Sequence, residues 1–173
     1  INKATDSWST PLCMASEQGH VDVVRMLLEQ GADINKARDS GFTPLYVVSQ
    51  EGHVEVVRVL LEQGADINKA TDSGSTPLCM ASEQGHVDVV RMLLEQGADI
   101  HKAMDDGCTP LCIASYKGHV EVVRMLLERE ADINKATDDG CTPLYIASQQ
   151  GHGEVVRKIG RAARGIRVSR WGG

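Results

Sequence analysis

Residues 72–104 read DSGSTPLCMASEQGHVDVVRMLLEQGADIHKAM, and the rest of the chain is built from copies of this stretch. Thr-Pro-Leu recurs at 10–12, 43–45, 76–78, 109–111 and 142–144, each 33 residues after the last. Gly-His pairs at 19–20, 52–53, 85–86, 118–119 and 151–152 keep that interval, as do Ile34, Ile67, Ile100, Ile133 and Ile166. Residues 6–38 differ from 72–104 at three positions only: Trp8 for Gly74, Asn35 for His101 and Arg38 for Met104. A fixed period of this length marks a repeat architecture in which each copy is one supersecondary unit.

One unit can be read from its residues. Asp72-Ser73-Gly74 is turn chemistry, because Asp and Ser bond local backbone and Gly accepts positive φ. Thr76 suits a helix N-cap, and Pro77 suits the first turn, where its missing N–H costs nothing. Leu78, Met80 and Ala81 supply apolar faces, and Gly85 stops this short helix. A second helix is expected from His86 to Gln96, with Asp88 complementing the dipole at its start. Val87, Val90, Leu93 and Leu94 recur at helical spacing. Gly97 ends it, and the chain turns back to residue 107 as an extended, hairpin-like loop. Helices this short are marginal alone and must stack on like neighbours to bury their apolar faces.

The pattern D-x-G-x-T-P-L-x-x-A-x-x-x-G-H-x-[DE]-V-V-R-x-L-L-x-x-G-A-D-I-N resembles the ankyrin repeat. The resemblance covers 1–159, as five repeats at 6–38, 39–71, 72–104, 105–137 and 138–170, the last degenerate. It leaves 160–173 as a basic C-terminal cap or tail. The resemblance implies an all-α ankyrin-repeat solenoid of stacked helix-turn-helix units joined by β-hairpin-like loops. It also implies protein binding on the hairpin tips and the first helices. It permits hydroxylation of Asn35, Asn68 or Asn134 by an asparaginyl hydroxylase.

Aromatic residues are only 3% of the chain, so the core must be Leu, Val, Ile, Met and Ala. No apolar run approaches the roughly 18 residues of a membrane span. Ile1-Asn2-Lys3-Ala4 matches Ile67-Asn68-Lys69-Ala70. It therefore reads as the end of a repeat rather than a signal peptide, and the chain is expected to be a fragment. The five cysteines, Cys13, Cys79, Cys108, Cys112 and Cys141, are odd in number, which points to thiols in a reducing, cytoplasmic compartment. Equivalent positions in neighbouring repeats lie about 8–10 Å apart, beyond the roughly 7 Å reach of a disulfide. Cys108-x-x-x-Cys112 has the look of half a metal site but lacks a second half at zinc spacing. The five Gly-His histidines occupy one position in separate layers, so their role is structural. His101 replaces the Asn of 35, 68 and 134 and is expected to be exposed.

Departures from the pattern carry expectations of their own. The usual T-P-L-H histidine is replaced by Cys13, Tyr46, Cys79, Cys112 and Tyr145. Cys is a poor hydrogen-bond partner, so each Cys site is expected to lose a capping contact of about 1 kcal/mol. Trp8 stands where the other turns have Gly and is expected to rearrange or fray the first hairpin. Glu130 replaces the helix-ending Gly of 31, 64 and 97 and is expected to cost up to about 1 kcal/mol in a left-handed cap. The last copy decays after Arg157, with Gly153, Lys158 and Gly160 at positions that hold Val87, Met92 and Leu94. Residues 1–156 carry 12 basic and 24 acidic side chains, whereas 157–173 carry six basic and no acidic ones. Two readings of that tail stay open. In one it is a polar capping repeat. In the other it is a basic amphipathic segment, with Val155, Val156, Ile159, Ala162, Ala163 and Ile166 near one face, for anionic membrane or nucleic acid.

By the resemblance, the partner-binding positions are Asp39, Ser40, Phe42, Asp72, Ser73, Asp105, Asp106, Asp138 and Asp139 at the tips. On the first helices they are Glu51, Glu83, Tyr116 and Lys117. This surface is an acidic strip on which Phe42 and Tyr116 are the large side chains, expected as anchors, while the Asp tips steer a basic partner. No nucleophile elbow, phosphate-binding Gly loop or metal motif is present. The expected function is a non-catalytic protein–protein interaction scaffold: not an enzyme, a monomer, with no cofactor, metal or small-molecule substrate. The alternative is binding of anionic membrane or nucleic acid through the Arg-rich C-terminal segment.

Overall fold

The structure is a computed structural model and describes residue 2 and residues 9–169. Ten α-helices and one 3₁₀ turn make up the regular structure, with no strand among the described residues. The chain forms two compact units, Ile1–Asp99 and Ile100–Gly173. The first holds α1 (Pro11–Glu17), α2 (Val21–Glu29), α3 (Pro44–Glu51), α4 (Val54–Glu62), α5 (Pro77–Gln84) and α6 (Val87–Glu95). The second holds α7 (Pro110–Lys117), α8 (Val120–Glu128), α9 (Pro143–Gln149) and α10 (Gly153–Ser169). Trp8, Arg170 and Trp171 lie outside the described residues, as do the side chains of Ile166 and Arg167.

Each first helix starts as its residues dictate. Thr10, Thr43, Thr76, Thr109 and Thr142 sit in extended backbone, and their hydroxyl oxygens accept the N–H three residues on. Proline follows each, in the first turn. The bond forms at 3.1–3.3 Å whether the donor is Cys or Tyr. The backbone cap therefore survives the missing histidine, and any loss is confined to the side chain. Each second helix begins at Val or Gly, with His86 and Gln96 serving as the caps of α6 rather than as its ends.

In the first unit α1 packs on α3 and α3 on α5, while α2 packs on α4 and α4 on α6. In the second, α7 meets α8 and α9, and α10 meets α8 and α9. Leu12, Leu45, Leu60, Leu78, Leu93, Leu111 and Leu126 are essentially inaccessible to solvent. Each contributes on the order of 1.5–3 kcal/mol of burial. The near-identical first and third copies show what stacking adds. Met14, Val23 and Met26 of α1 and α2 are exposed, whereas Met80 and Met92 are half-buried and Val89 is buried. The sequence sets the helices, and α3 and α4 lying against α5 and α6 set the burial.

Two polar devices tie successive copies. His53 and His86 place Nε2 at 3.1 and 2.8 Å from the carbonyl oxygens of Glu17 and Gln50, and His152 reaches that of Tyr116 at 2.8 Å. Each meets a carbonyl in the last turn of the preceding first helix, where intrahelical donors run out. These three histidines are thus structural, as expected. The second device was not foreseen. Asn2, Asn35 and Asn68 accept, on their side-chain oxygens, the backbone N–H of Asp33, Asp66 and Asp99, at 2.8–2.9 Å.

Glu130 does take the left-handed cap, with φ of 63°. α10 is the longest helix: Gly160 is accommodated, and the helix runs on through Ser169. A boundary at 159/160 therefore falls inside it. Val155 and Ile159 are buried, whereas Arg157, Arg161 and Arg164 are exposed. No helix among the described residues is long and apolar enough to cross a membrane.

Candidate interaction face

The tips are held first by backbone hydrogen bonds. In the first unit, Asp39–Gly41 forms the 3₁₀ turn, and Arg38 N–H closes the loop on the Phe42 carbonyl at 2.9 Å. Ser40 is left-handed, and its carbonyl accepts the N–H of Asp72 at 3.0 Å, so one tip is pinned to the next. The second unit repeats this bond from Asp138 N–H to the Asp106 carbonyl at 2.9 Å. Gly41 and Gly107 permit the approach: a Cβ on Gly107 would stand 2.8 Å from an Asp138 carboxylate oxygen.

On this frame Asp39, Ser40, Asp72 and Ser73 are exposed in the first unit, with Glu51 exposed at the end of α3 and Glu83 half-buried on α5. In the second unit Asp105, Asp106, Asp138 and Asp139 are exposed, together with Tyr116 and Lys117 at the end of α7. Carboxylates on loops whose backbone is already pinned need little further backbone ordering on meeting a cation. That suits them to guanidinium or ammonium groups of a partner.

The two expected anchors part company here. The Tyr116 ring is 50% exposed, and the Lys117 ammonium lies 5.7 Å from its centroid. Phe42 is half-buried: its ring stacks on Tyr46 at 5.0 Å, and the Arg38 guanidinium lies 5.3 Å from its centroid. Arg38 is in turn paired with Glu17 at 3.3 Å. Phe42 therefore has internal work as the covering of its own loop. Sequence reasoning passed over Tyr145, 56% exposed, and Leu144, 37% exposed, on α9. Tyr145 holds the repeat position of Tyr46, which is buried and reaches Ser75 Oγ from its hydroxyl at 3.4 Å, so the sequence carries no local signal of the difference.

A groove of about 360 Å³ runs between α4 and α6, but its arginines are held by their own helices. Arg58 pairs with Glu55 at 3.5 Å and Arg91 with Asp88 at 3.0 Å. Among the described residues no three His, Cys, Asp or Glu side chains converge on a possible metal position.

Paired short helices, threonine–proline starts, histidines bridging to the preceding copy and loops tied tip to tip define a stacked helical-repeat protein. A family model described as ankyrin repeats (3 copies) matches residues 12–104 and again residues 100–169. The chain belongs to the ankyrin-repeat family, whose members are generally protein–protein interaction modules and typically not enzymes. No curated protein matches it.

Proposed function

We propose that this chain is a non-catalytic module that recognises a basic protein segment through its exposed tip carboxylates and first-helix ends. The observation that carries the reading is the second unit. There a half-exposed aromatic, Tyr116, accompanies four exposed aspartates on pinned loops. Tyrosine is enriched among interface hot spots, and the aspartates raise the association rate with a cationic partner. Asp39, Ser40, Asp72, Ser73, Glu51 and Glu83 extend the same chemistry in the first unit. Phe42 supports it by holding the loop of Asp39.

A second reading rests on α10, whose exposed Arg157, Arg161 and Arg164 would serve an anionic membrane or nucleic acid. The two separate in a pull-down with four baits, followed by direct titration of the captured protein. The baits are the intact chain, Tyr116→Ala, Asp105→Lys/Asp106→Lys and Arg161→Gln/Arg164→Gln. Loss of capture with the tyrosine variant, weakened capture with the aspartate variant, and retention with the arginine variant support the tip face. The reverse pattern overturns it in favour of α10. Truncation at 156 is unsuited, because it removes the buried Ile159.

A further inference from the structure

The residue just before each capping threonine and the third residue of the following helix form one pair in every copy. The pairs are Ser9 and Cys13, Phe42 and Tyr46, Ser75 and Cys79, Cys108 and Cys112, and Cys141 and Tyr145. The second copy shows that these positions touch, because its two rings are stacked. Only the fourth copy puts a thiol at both.

We propose that Cys108 and Cys112 form an oxidisable dithiol site, closed by a peroxide-class oxidant into a disulfide across the start of α7. The backbone holds both residues in place. Cys108 N–H bonds the Asp106 carboxylate at 2.9 Å, and the Cys108 carbonyl accepts the N–H of Met104 at 2.9 Å. Cys112 N–H bonds Thr109 Oγ1 at 3.3 Å. The Cys108 thiol faces the Thr109 carbonyl at 3.8 Å and the Cys112 thiol the Lys135 carbonyl at 3.9 Å, and the stacked rings of the second copy show that side chains at these two positions meet. Cys108 is half-buried and Cys112 fully buried, which makes Cys108 the point of entry and Cys112 the resolving group.

The neighbouring Cys108 thiol as donor, first, and the Thr109 donors after it outweigh burial and lower the Cys112 thiol to about 7. At neutral pH the pair therefore holds a substantial thiolate fraction, the reactive form. Proton exchange between the two sulfurs moves the charge to the more accessible Cys108, whose thiolate attacks a peroxide oxygen. An S–O bond forms, the O–O bond breaks, and the departing hydroxide takes a proton as water. The Cys112 thiolate then attacks the Cys108 sulfur: the S–S bond forms, the S–O bond breaks, and a second water leaves. Two thiols are oxidised and one peroxide is reduced.

Cys141 is the internal control, since it is also half-buried but has Tyr145 at the partner position. Cys13 and Cys79 are fully buried and paired with serines.

The test treats the intact folded chain with hydrogen peroxide in the presence of dimedone, unfolds it, alkylates it and digests it with trypsin. Cleavage after Lys102 and Lys117 leaves both thiols in one peptide. The expected result is that peptide without alkylation or dimedone, lighter by the hydrogens lost, and restored by dithiothreitol. Cys141 is then alkylated or carries dimedone. In Cys112→Ser, dimedone is expected on Cys108. The same treatment in denaturing urea should lose the preference for this pair over the other thiols. Dimedone on wild-type Cys108 with Cys112 alkylated, or both alkylated while Cys141 is oxidised, overturns the proposal.

Discussion

Glu130 sits in a left-handed conformation that Gly31, Gly64 and Gly97 adopt in the other copies. An added Cβ at those glycines meets nothing within 4 Å, so what Glu130 bears is backbone strain, not crowding. Its carboxylate also stands at the negative end of α8. Glu130→Gly should therefore stabilise the chain by about 0.5–1 kcal/mol, read as a melting temperature about 1–4 °C higher. Gly52 is the opposite case: a Cβ there would stand 2.8 Å from the His86 ring. The helix serines divide in the same way. Ser49 Oγ donates to the Leu45 carbonyl at 2.7 Å, whereas the buried hydroxyls of Ser16, Ser82 and Ser115 have no partner. Ser82→Ala should be neutral or stabilising and Ser49→Ala destabilising, differing by about 1 kcal/mol in urea unfolding. The thiols add a pH term. Cys112 is lowered to about 7 in the fold, so the stability it contributes is full above the ordinary thiol range and fades as pH falls through about 7. Between those limits stability should rise with pH, and Cys108→Ala, which removes the donor, should flatten that slope. Cys13, with Ser9 in place of a second thiol, is instead pushed up by burial.

At the scale of elements, most of the fold was legible because each helix carries its own start and stop. Thr-Pro opens a first helix, a left-handed glycine closes it and the histidine fastens it to its neighbour, all within 33 residues of local sequence. What was not legible depends on the neighbouring copy. The bond from Asn35 to Asp66 spans 31 residues and has no local signature. Phe42 is expected as an anchor because a tip aromatic looks free until Tyr46 and Arg38 are placed beside it. In α10, the composition shift at Arg157 suggested decay, yet Val155 and Ile159 keep the core face and the helix continues past Gly160. The buried side chains should therefore hold the element and the arginines should not. Ile159→Ala is expected to cost about 2–4 kcal/mol, and Arg161→Gln/Arg164→Gln less than about 0.5 kcal/mol. Urea denaturation followed by circular dichroism distinguishes them, and equal effects would make α10 a charge-held helix.

For the whole molecule, charge decides how a partner arrives. The chain carries a formal net charge of −6, while its first 156 residues hold twice as many acidic as basic side chains. The tip carboxylates that contribute to this excess are exposed, so solvent screens them, and each adds little to the strength of a finished complex. Their effect falls on encounter, because a long-range field raises the association rate of an oppositely charged partner and is damped within about 10 Å at moderate salt. Tyr116, by contrast, acts only on contact. Asp105→Lys/Asp106→Lys should therefore slow association with a basic partner several-fold and weaken its salt dependence, with the dissociation rate nearly unchanged. Tyr116→Ala should leave association and its salt dependence alone and speed dissociation, by on the order of tenfold or more if the ring is a hot spot. Stopped-flow or surface-based kinetics at two ionic strengths separates the terms. A tyrosine variant that alters only association, or an aspartate variant that alters only dissociation, would mean that the exposed ring and the pinned carboxylates do not share one binding face.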